Sequence, residues 1–281
     1  MIKTVITAAG KGTRLLPITK EIPKELMPIF AEISNNNKVV MPLLQFIYEQ
    51  LYSINIRNYC FVVGNNRRSI KEHFTPNQTF LNDLTEQQQK LIKIFYKKLE
   101  KSDFFWVNQI KPIGFGDAVK RSENFIKKDN FIVHAGDVAI IGRDEHPITR
   151  MINAYKKFPE TSAILLIKKV KDSKRYGVPK IKKIGPIFEV KEVEEKPEKP
   201  KSNMGLLPIY FFKPIIFDSL KKIKRGKGNE FQLTDAIQNL IERGEKVIAV
   251  PLKNDEIELD VGTVNTYRYS LEKSYIKAKI L

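Results

Sequence analysis

The sequence predicts an α/β protein in which helices flank a mixed, mostly parallel β-sheet, with a smaller β-hairpin lobe. Short apolar runs alternate with amphipathic segments along most of the chain, as strands and helices do in such folds. The 281 residues, of which 42% are hydrophobic and 10% aromatic, suffice for a full core. Glycines and polar residues directly follow several predicted strands, which is where open α/β sheets bind ligands.

The first half of the chain alternates between strands and helices. A run rich in β-branched residues from Ile2 predicts the first strand, and Pro42 suits the first turn of a helix that reaches Leu51. The helix predicted over Thr85–Lys101 interrupts the alternation, so we interpret it as a surface insertion. The other elements expected here are a strand over Arg57–Val63, a helix over Arg67–Phe74, a strand over Phe104–Gln109, a helix from Gly114 to Lys127 and a strand over Asn130–His134.

The second half begins with a helix over Pro147–Phe158 and a strand over Ala163–Val170. Two short strands, Lys180–Lys183 and Phe188–Val193, form the predicted hairpin, and a segment rich in Pro and Lys follows it. The remaining elements are a strand over Leu206–Phe212, helices over Pro214–Lys222 and Thr234–Glu242, a strand over Lys246–Val250 and a helix over Val264–Lys277.

The chain has no internal repeat and no long linker, so we expect one domain with two lobes. The first lobe is expected over residues 1–140, with the helical insertion at 80–101. The second lobe is expected over residues 141–263, and the last helix over residues 264–281.

The net charge of +17 is compatible with nucleic acid, a membrane surface or small polyanions as partners. The basic residues are scattered, and we interpret the densest group, between Lys168 and Lys183, as a solvated hairpin face; nucleic-acid binding is the minor alternative. No apolar run approaches the roughly 20 residues of a membrane span, and no leader precedes the first strand. We therefore expect a soluble, cytoplasmic protein that binds neither membranes nor nucleic acid.

The cysteine and histidine residues point to structural roles. Cys60 is the one cysteine and lies in an apolar run, which excludes an internal disulfide and predicts a buried thiol. His73, His134 and His146 follow no metal-ligand spacing.

A glycine-containing turn after the first strand is the most informative segment of the sequence. Gly10 and Gly12 allow the backbone to approach a ligand closely, and Arg14 and Lys24 follow within one short stretch. The spacing fits neither the dinucleotide fingerprint, which needs a third glycine where Arg14 stands, nor a Walker loop. This pattern favours a triphosphate site, although the residues alone leave open an ordinary turn with solvated cations.

This turn belongs to a series of motifs that resembles the sugar-1-phosphate nucleotidyltransferases, and most closely the bacterial-type UTP:glucose-1-phosphate uridylyltransferases. The motifs are Ala8–Pro17, Pro23–Pro28, Gln109–Ala118, Ala135–Asp137, Tyr176–Val178, Val193–Pro197, Ser202–Asn203, Gly228–Ala236 and Asp260–Thr263. They follow the order of the family and extend over nearly the whole chain.

The resemblance implies a Rossmann-like nucleotidyltransferase (GT-A-like) fold in which the hairpin lobe binds the sugar. It implies attack by an oxygen of glucose 1-phosphate on the α-phosphorus of UTP, which gives UDP-glucose and pyrophosphate with Mg²⁺ as cofactor. Because both substrates and the leaving group are anions, positioning and charge neutralisation are expected to dominate over acid and base chemistry. Family members are usually homo-oligomers, so the same is expected here.

The resemblance also implies roles for individual residues. The residues with implied catalytic roles are Arg14, Lys24 and Lys196. The implied nucleotide contacts are Ala9, Gly10, Gly12, Thr13, Gln109 and Gly114, the last two as readers of the uracil. The implied sugar contacts are Gly177, Glu195 and Asn203, and the implied Mg²⁺ ligands are Asp137 and Asp260. From composition alone, Glu195 and Lys196 would belong to a solvated charge run, and the two aspartates would be cap or turn residues.

Some positions depart from the family pattern. Met41 stands where the family has a lysine, and Lys38, in an insertion before it, is a candidate substitute. Ile113 and Asp117 replace a usual lysine and histidine in the uracil loop, and Pro208 replaces a usual glycine. These departures leave open dTTP or another hexose 1-phosphate as substrate. A catalytically silent regulator that binds nucleotide sugars is the alternative from a different functional class.

Overall fold

The computed structural model describes residues 2–34, 37–65, 68–143 and 145–279, and its largest element is a nine-stranded sheet. The strands are β1 (Ile2–Ala8), β2 (Pro28–Ser34), β3 (Asn37–Pro42), β4 (Asn58–Gly64), β5 (Asp103–Gln109), β6 (Asn130–Ala135), β7 (Val138–Ile141), β8 (Ala163–Lys169), β9 (Gly177–Ile184), β10 (Ile187–Glu195), β11 (Met204–Phe212), β12 (Val247–Pro251) and β13 (Ile257–Asp260). The helices are α1 (Leu43–Ser53), α2 (Arg68–His73), α3 (Gln78–Asn82), α4 (Glu86–Glu100), α5 (Phe115–Lys120), α6 (Glu123–Ile126), α7 (Pro147–Lys157), α8 (Ile216–Lys222), α9 (Leu233–Glu242) and α10 (Val264–Lys277).

The strand order in the large sheet is β5-β4-β1-β6-β11-β8-β12-β10-β9. β1 pairs in parallel with β4 and β6, β4 pairs in parallel with β5, and β8 pairs in parallel with β12. β11 and β10 run antiparallel to their neighbours. The predicted fold class, a mixed sheet flanked by helices, is therefore confirmed.

The register of the parallel strands brings the predicted ligand-binding residues to one edge. Thr7 lies beside Ala135, and Gly64 lies beside Gln109. The chain therefore leaves β1, β5 and β6 at the same edge of the sheet, where parallel sheets present their binding residues.

Alternate residues of the central strands pack into cores on opposite faces of the sheet, as the pleat requires. Ile6 and Phe61 belong to the core that α1 and α7 cover, whereas Val5 and Cys60 belong to the core that α5, α8 and α9 cover. The buried thiol predicted for Cys60 is confirmed, and burial raises its pKa to about 12.

Two predicted elements differ in extent from those observed. The helix predicted from Gly114 to Lys127 is two helices, α5 and α6. Between them, the hydroxyl of the buried Ser122 donates to the carbonyl of Val119 at 2.7 Å. Such a side-chain hydrogen bond competes with the backbone hydrogen bonds of a continuous helix. The hairpin strands are longer than predicted, and β10 joins the hairpin to β12 of the large sheet.

Three further observations concern the smaller elements. The helix predicted over Arg67–Phe74 corresponds to α2, and Arg67 itself lies outside the described residues. The insertion helix is confirmed as α4, which begins with a capping box between Thr85 and Gln88. The strand pairs β2–β3 and β7–β13 were not predicted. For the second pair the reason is that β7 and β13 are short and pair across more than a hundred residues of sequence.

No helix in the described ranges is both long enough and apolar enough to cross a membrane.

Candidate active site

A cleft of about 510 Å³ lies at the edge of the sheet where β1, β5 and β6 end, and β10 and the start of β9 close its other side. It brings together many of the residues that the sequence singles out. The predicted site residues that line it are Ala9, Gly10, Arg14, Lys24, Gln109, Gly114, Asp137, Gly177, Glu195 and Lys196. These residues come from segments nearly 190 residues apart in sequence, so the cleft is a product of the tertiary fold.

Four predicted site residues do not line this cleft. The carbonyl of Gly12 accepts a hydrogen bond from Thr19 Oγ1 at 2.7 Å, and Thr13 begins the short helical turn that follows. Asn203 is exposed, and its carbonyl accepts from the Val170 amide at 2.9 Å. Asp260 lines a neighbouring cavity of about 530 Å³. Ligand contacts stay predictions for these four residues, as they do for the ten that line the cleft.

Lys24 and Asp137 form an ion pair across the floor of the cleft. Their side chains are only 15% and 20% exposed, so little solvent screens the pair. Burial lowers the pKa of Lys24, but the carboxylates of Asp137, Glu25 and Asp260 outweigh that effect and raise the pKa above that of an ordinary lysine. Lys24 is therefore a fixed positive charge at the carboxyl edge of β6.

Asp260 lies next to Asp137 because β13 pairs with β7. Asp260 pairs with Val138, and the Val261 amide donates to the carbonyl of Asp137 at 3.1 Å. Burial and the Asp137 carboxylate raise the pKa of Asp260, while hydrogen bonds and the charge of Lys24 oppose the rise. Two carboxylates, one from the turn between β6 and β7 and one from the end of β13, thus share one electrostatic environment.

This arrangement suits a divalent cation. Mg²⁺ prefers oxygen ligands and needs only one or two protein carboxylates when phosphates supply the others. Asp137 and Asp260 are two such carboxylates, and no group of three or more acidic, histidine or cysteine side chains in the described ranges could hold a metal ion by itself. The donor set therefore fits a cation that arrives with a phosphorylated substrate.

The loop after β5 is built around Gly114. Its φ of 131° is unfavourable for other residues, and a Cβ at this position would lie 2.4 Å from the carbonyl oxygen of Phe231. The Phe231 amide donates to the carbonyl of Ile113 at 2.9 Å, and the Gly116 amide donates to the carbonyl of Phe231 at 2.8 Å. The predicted uracil loop is therefore held against the motif at residues 228–236 by backbone contacts that only glycine permits.

The opposite side of the cleft is built by β9 and β10. Gly177 pairs with Glu195, and a Cβ at Gly177 would lie 3.2 Å from both Glu195 Oε2 and Thr234 Oγ1. Thr234 Oγ1 donates to Glu195 Oε2 at 2.7 Å, which fixes the carboxylate at the cleft wall. Lys196 follows with a φ of 44°, its amide donating to the carbonyl of Tyr176 at 3.0 Å.

The left-handed conformation of Lys196 is unusual for a residue with a side chain. Such conformations cost on the order of 1–3 kcal/mol and are concentrated at functional sites. The Lys196 Nζ lies 3.2 Å from Glu195 Oε1, and its side chain remains 48% exposed. The backbone thus places the lysine at the cleft while its ammonium group stays accessible.

The cleft also contains residues for which no role was predicted. Arg175 lines it, although the sequence interpretation placed this residue on a solvated hairpin face. Glu230, Gln232 and Thr234 line it too. Their position within the motif Gly228–Ala236 is the signal from which the sequence could have predicted them. Pro208 lines it at a register shift between β11 and β8, where a proline is tolerated.

Lys38 does not line the cleft. Its Nζ lies 3.8 Å from the ring centre of Tyr275 on α10, and Met41 is buried in the core. Lys38 therefore contacts α10 and none of the residues of the cleft, so its substitution for the lysine that the family carries at position 41 stays a prediction without a supporting contact.

None of the three histidines lines the cleft. His134 and His146 are buried, and burial lowers the pKa of His134 to about 4 and that of His146 to about 3. Burial also lowers the pKa of His73 to about 4. All three rings are neutral near pH 7, which agrees with structural roles.

Comparison with known proteins agrees with this geometry. A family model described as nucleotidyl transferase matches residues 3–274. UTP–glucose-1-phosphate uridylyltransferase 2 of Staphylococcus saprophyticus is 33% identical over 265 residues, which cover 92% of this chain and 86% of that protein. The corresponding protein of Staphylococcus haemolyticus is 34% identical over 85% of this chain and 81% of its own length.

A solved structure of a UDP-glucose pyrophosphorylase complexed with UDP-glucose is also similar. It has a TM-score of 0.85 and 31% sequence identity, and the match covers 98% of this chain and 99% of that one. Since the family model matches nearly the whole sequence and full-length relatives exceed 30% identity, the chain belongs to the nucleotidyl transferase family.

Proposed function

We propose that this nucleotidyl transferase transfers the uridylyl group of UTP to glucose 1-phosphate, giving UDP-glucose and pyrophosphate. The observation that carries the proposal is one cleft in which the Lys24–Asp137 pair lies between the loop at Gly114 and a hairpin with an accessible lysine. The relatives named as uridylyltransferases and the UDP-glucose complex support the choice of substrates.

In the proposed reaction, a phosphate oxygen of glucose 1-phosphate attacks the α-phosphorus of UTP. The bond from the α-phosphorus to the bridging oxygen breaks, and the electron pair leaves with pyrophosphate. Lys24 neutralises charge at the reacting phosphorus from a fixed position, which requires no reorganisation during the reaction. Arg14, exposed at the cleft, binds the triphosphate that leaves as pyrophosphate.

The sugar phosphate binds the hairpin side of the cleft in this proposal. Lys196 pairs with its phosphate, and Glu195, held by Thr234, accepts hydrogen bonds from sugar hydroxyls. Positioning two anions in one cleft supplies much of the rate, because it converts an encounter between like charges into a step within one complex.

Members of this family generally depend on a divalent metal, and we propose Mg²⁺ for this chain, held by Asp137 and Asp260. When bound, Mg²⁺ would neutralise phosphate charge and fix phosphate oxygens. Asp137→Asn and Asp260→Asn should each raise the Mg²⁺ concentration needed for half-maximal activity. Asp255→Asn, an exposed neighbour of β13, is the matched control and should leave that concentration unchanged.

The decisive experiment measures pyrophosphate release with glucose 1-phosphate and Mg²⁺ while UTP, dTTP, CTP, ATP and GTP are supplied in parallel. Release mainly with UTP supports the proposal, and a preference for dTTP would keep the mechanism but replace the base. Silence with every nucleotide, together with UDP-glucose binding, would instead favour the regulator.

We further propose a cytoplasmic homo-oligomer with small-molecule substrates only. Light scattering of the purified protein tests the oligomeric state, and a monomer at micromolar concentration would contradict it.

A further inference from the structure

The amide of Gln109 is held in one orientation at the end of β5. Its Nε2 donates to Asp117 Oδ2 at 2.8 Å and to the carbonyl of Gly114 at 3.1 Å. Both partners accept hydrogen bonds, so the NH₂ group must face them. Gln109 is only 2% exposed, so the packed residues around it leave little room for its amide group to rotate.

The other end of this amide is the group available to a ligand. Gln109 lines the cleft, and among residues 2–34, 37–65, 68–143 and 145–279 no donor is hydrogen-bonded to its Oε1. With both Nε2 protons taken by Asp117 and Gly114, the side chain offers the cleft an acceptor and no donor.

Asp117 is itself held in place by Arg121, one helical turn further along the chain. It lies in the first turn of α5, and its side chain is 14% exposed. Arg121, one turn later, donates from Nε to Asp117 Oδ2 at 2.8 Å. The carboxylate therefore connects an exposed guanidinium to the buried amide, at a position where the family usually has histidine.

The bases of the pyrimidine nucleotides differ at the edge that such an acceptor meets. Uracil and thymine carry a ring N–H donor at N3, whereas cytosine carries an acceptor there. A fixed acceptor therefore accepts a hydrogen bond from N3–H of uracil. When it faces N3 of cytosine, the two acceptors repel each other and neither forms a hydrogen bond. If the amide were free to turn, its NH₂ group could serve cytosine equally well.

We propose that Asp117 is a positioning residue that orients the Gln109 amide and so makes the nucleotide site select bases with a ring N–H donor over cytosine. The inference rests on the proposed function, because it requires that this cleft bind a pyrimidine nucleoside triphosphate. It assigns to Asp117 a role in discrimination and none in the transfer step.

The test compares UTP with CTP in the full-length protein and three variants. Asp117→Ala removes the acceptor and keeps a strong helix former in α5. Asp117→Asn keeps an acceptor oxygen of the same shape without the charge. Arg121→Met is the matched control, since it removes the outer ion pair and leaves Asp117 beside Gln109. The readouts are kcat/KM for each nucleotide with glucose 1-phosphate, and the dissociation constant of each nucleotide without sugar phosphate.

We expect Asp117→Ala to lower the UTP-to-CTP ratio of kcat/KM and of affinity by about tenfold, the worth of one hydrogen bond to a buried group. Asp117→Asn and Arg121→Met should keep most of the wild-type ratio. An unchanged ratio in Asp117→Ala, or equal losses in the Ala and Asn variants, would overturn the inference. Failure of the wild-type protein to bind any pyrimidine nucleotide would instead count against the proposed function.

Discussion

The two sides of the cleft differ in how far they are organised in the absence of substrate. The proposed nucleotide side, represented by Lys24, Gln109, Gly114 and Asp137, consists of largely shielded groups that already contact protein partners, although Arg14 beside them is exposed. The sugar side, defined by Arg175, Gly177, Glu195 and Lys196, keeps its cations accessible, and the Lys196 side chain is 48% exposed against 15% for Lys24.

This difference has a physical consequence for binding. Groups that are already held lose little conformational entropy when a ligand arrives, whereas an exposed lysine loses rotamer freedom and water. We therefore expect substitutions on the nucleotide side to change mainly kcat and the choice of base. Substitutions on the sugar side should change mainly KM for the sugar phosphate.

The largest effect is expected for Lys24→Met. Removing a fixed positive charge from a reacting centre should lower kcat by about 10²–10³-fold, the usual cost of losing one preorganised electrostatic contact. Pyrophosphate release at saturating substrates measures the change. Lys20→Met, at a lysine of the same loop whose side chain is 78% exposed, is the control and should keep wild-type kcat. Wild-type turnover in Lys24→Met would remove this residue from the catalytic machinery.

Acid should lower the stability of the folded protein, since His134 and His146 are buried. Unfolded histidine has a pKa near 6.5, whereas burial lowers that of His134 to about 4 and that of His146 to about 3. Below about pH 6.5 the unfolded chain binds protons that the folded chain does not, so stability is lost as pH falls through this window.

The expected slope is about 1.4 kcal/mol of unfolding free energy per pH unit for each of these two rings, reached below pH 6.5. Urea unfolding at several pH values between about 7 and 5 measures it, and a His134→Gln variant should show a shallower slope. A free energy of unfolding that does not change with pH over this range would mean that the folded protein takes up protons as readily as the unfolded chain.

On the sugar side, Lys196→Met should raise KM for glucose 1-phosphate by about 10–100-fold, the range expected for a hydrogen bond to a charged group. KM for UTP should change little, because the lysine does not contact the nucleotide in the proposed complex. Initial-rate measurements with each substrate varied in turn separate the two constants. An equal rise in both would show that the two sides of the cleft are not distinct in function.

The smallest effect is expected for Thr234→Val, which removes the hydroxyl that donates to Glu195 and keeps the shape of the side chain. The loss of one neutral donor to a carboxylate should raise KM for glucose 1-phosphate by about three- to tenfold. Thr234→Ser retains the hydroxyl and should restore most of the affinity. If Val and Ser behaved alike, the hydrogen bond would have no part in sugar binding.

The residues that end or follow the central strands were easier to place from sequence than the geometry of the hairpin, and the reason is local. Gly10, Gln109 and Asp137 follow strands whose apolar runs are easily recognised, so their meeting at one edge follows from the topology. Arg175 and the left-handed backbone of Lys196 depend on how the hairpin joins the large sheet. A positive φ at a lysine has no compositional signal.

Tertiary contacts between distant segments were also hidden from sequence. The contact of Lys38 with Tyr275 joins residues far apart in the chain, so a nearby lysine looked like a replacement for the one lost at Met41. The hydrogen bond between Gln109 and Asp117 lies within one motif, yet the departure from histidine was interpretable only once both side chains were located.

The segment at residues 230–234 contacts both sides of the cleft: the backbone of Phe231 holds the loop at Gly114, and Thr234 holds Glu195. The loop proposed to recognise the base and the carboxylate proposed to bind the sugar therefore share one short structural part, and we expect that they cannot be exchanged as separate modules. A chimera that takes its hairpin from a relative with another sugar preference would need to take these five residues as well, or the imported carboxylate would lose its partner. For the same reason, selection for a new sugar is expected to produce second-site changes in a segment that follows the hairpin by more than thirty residues.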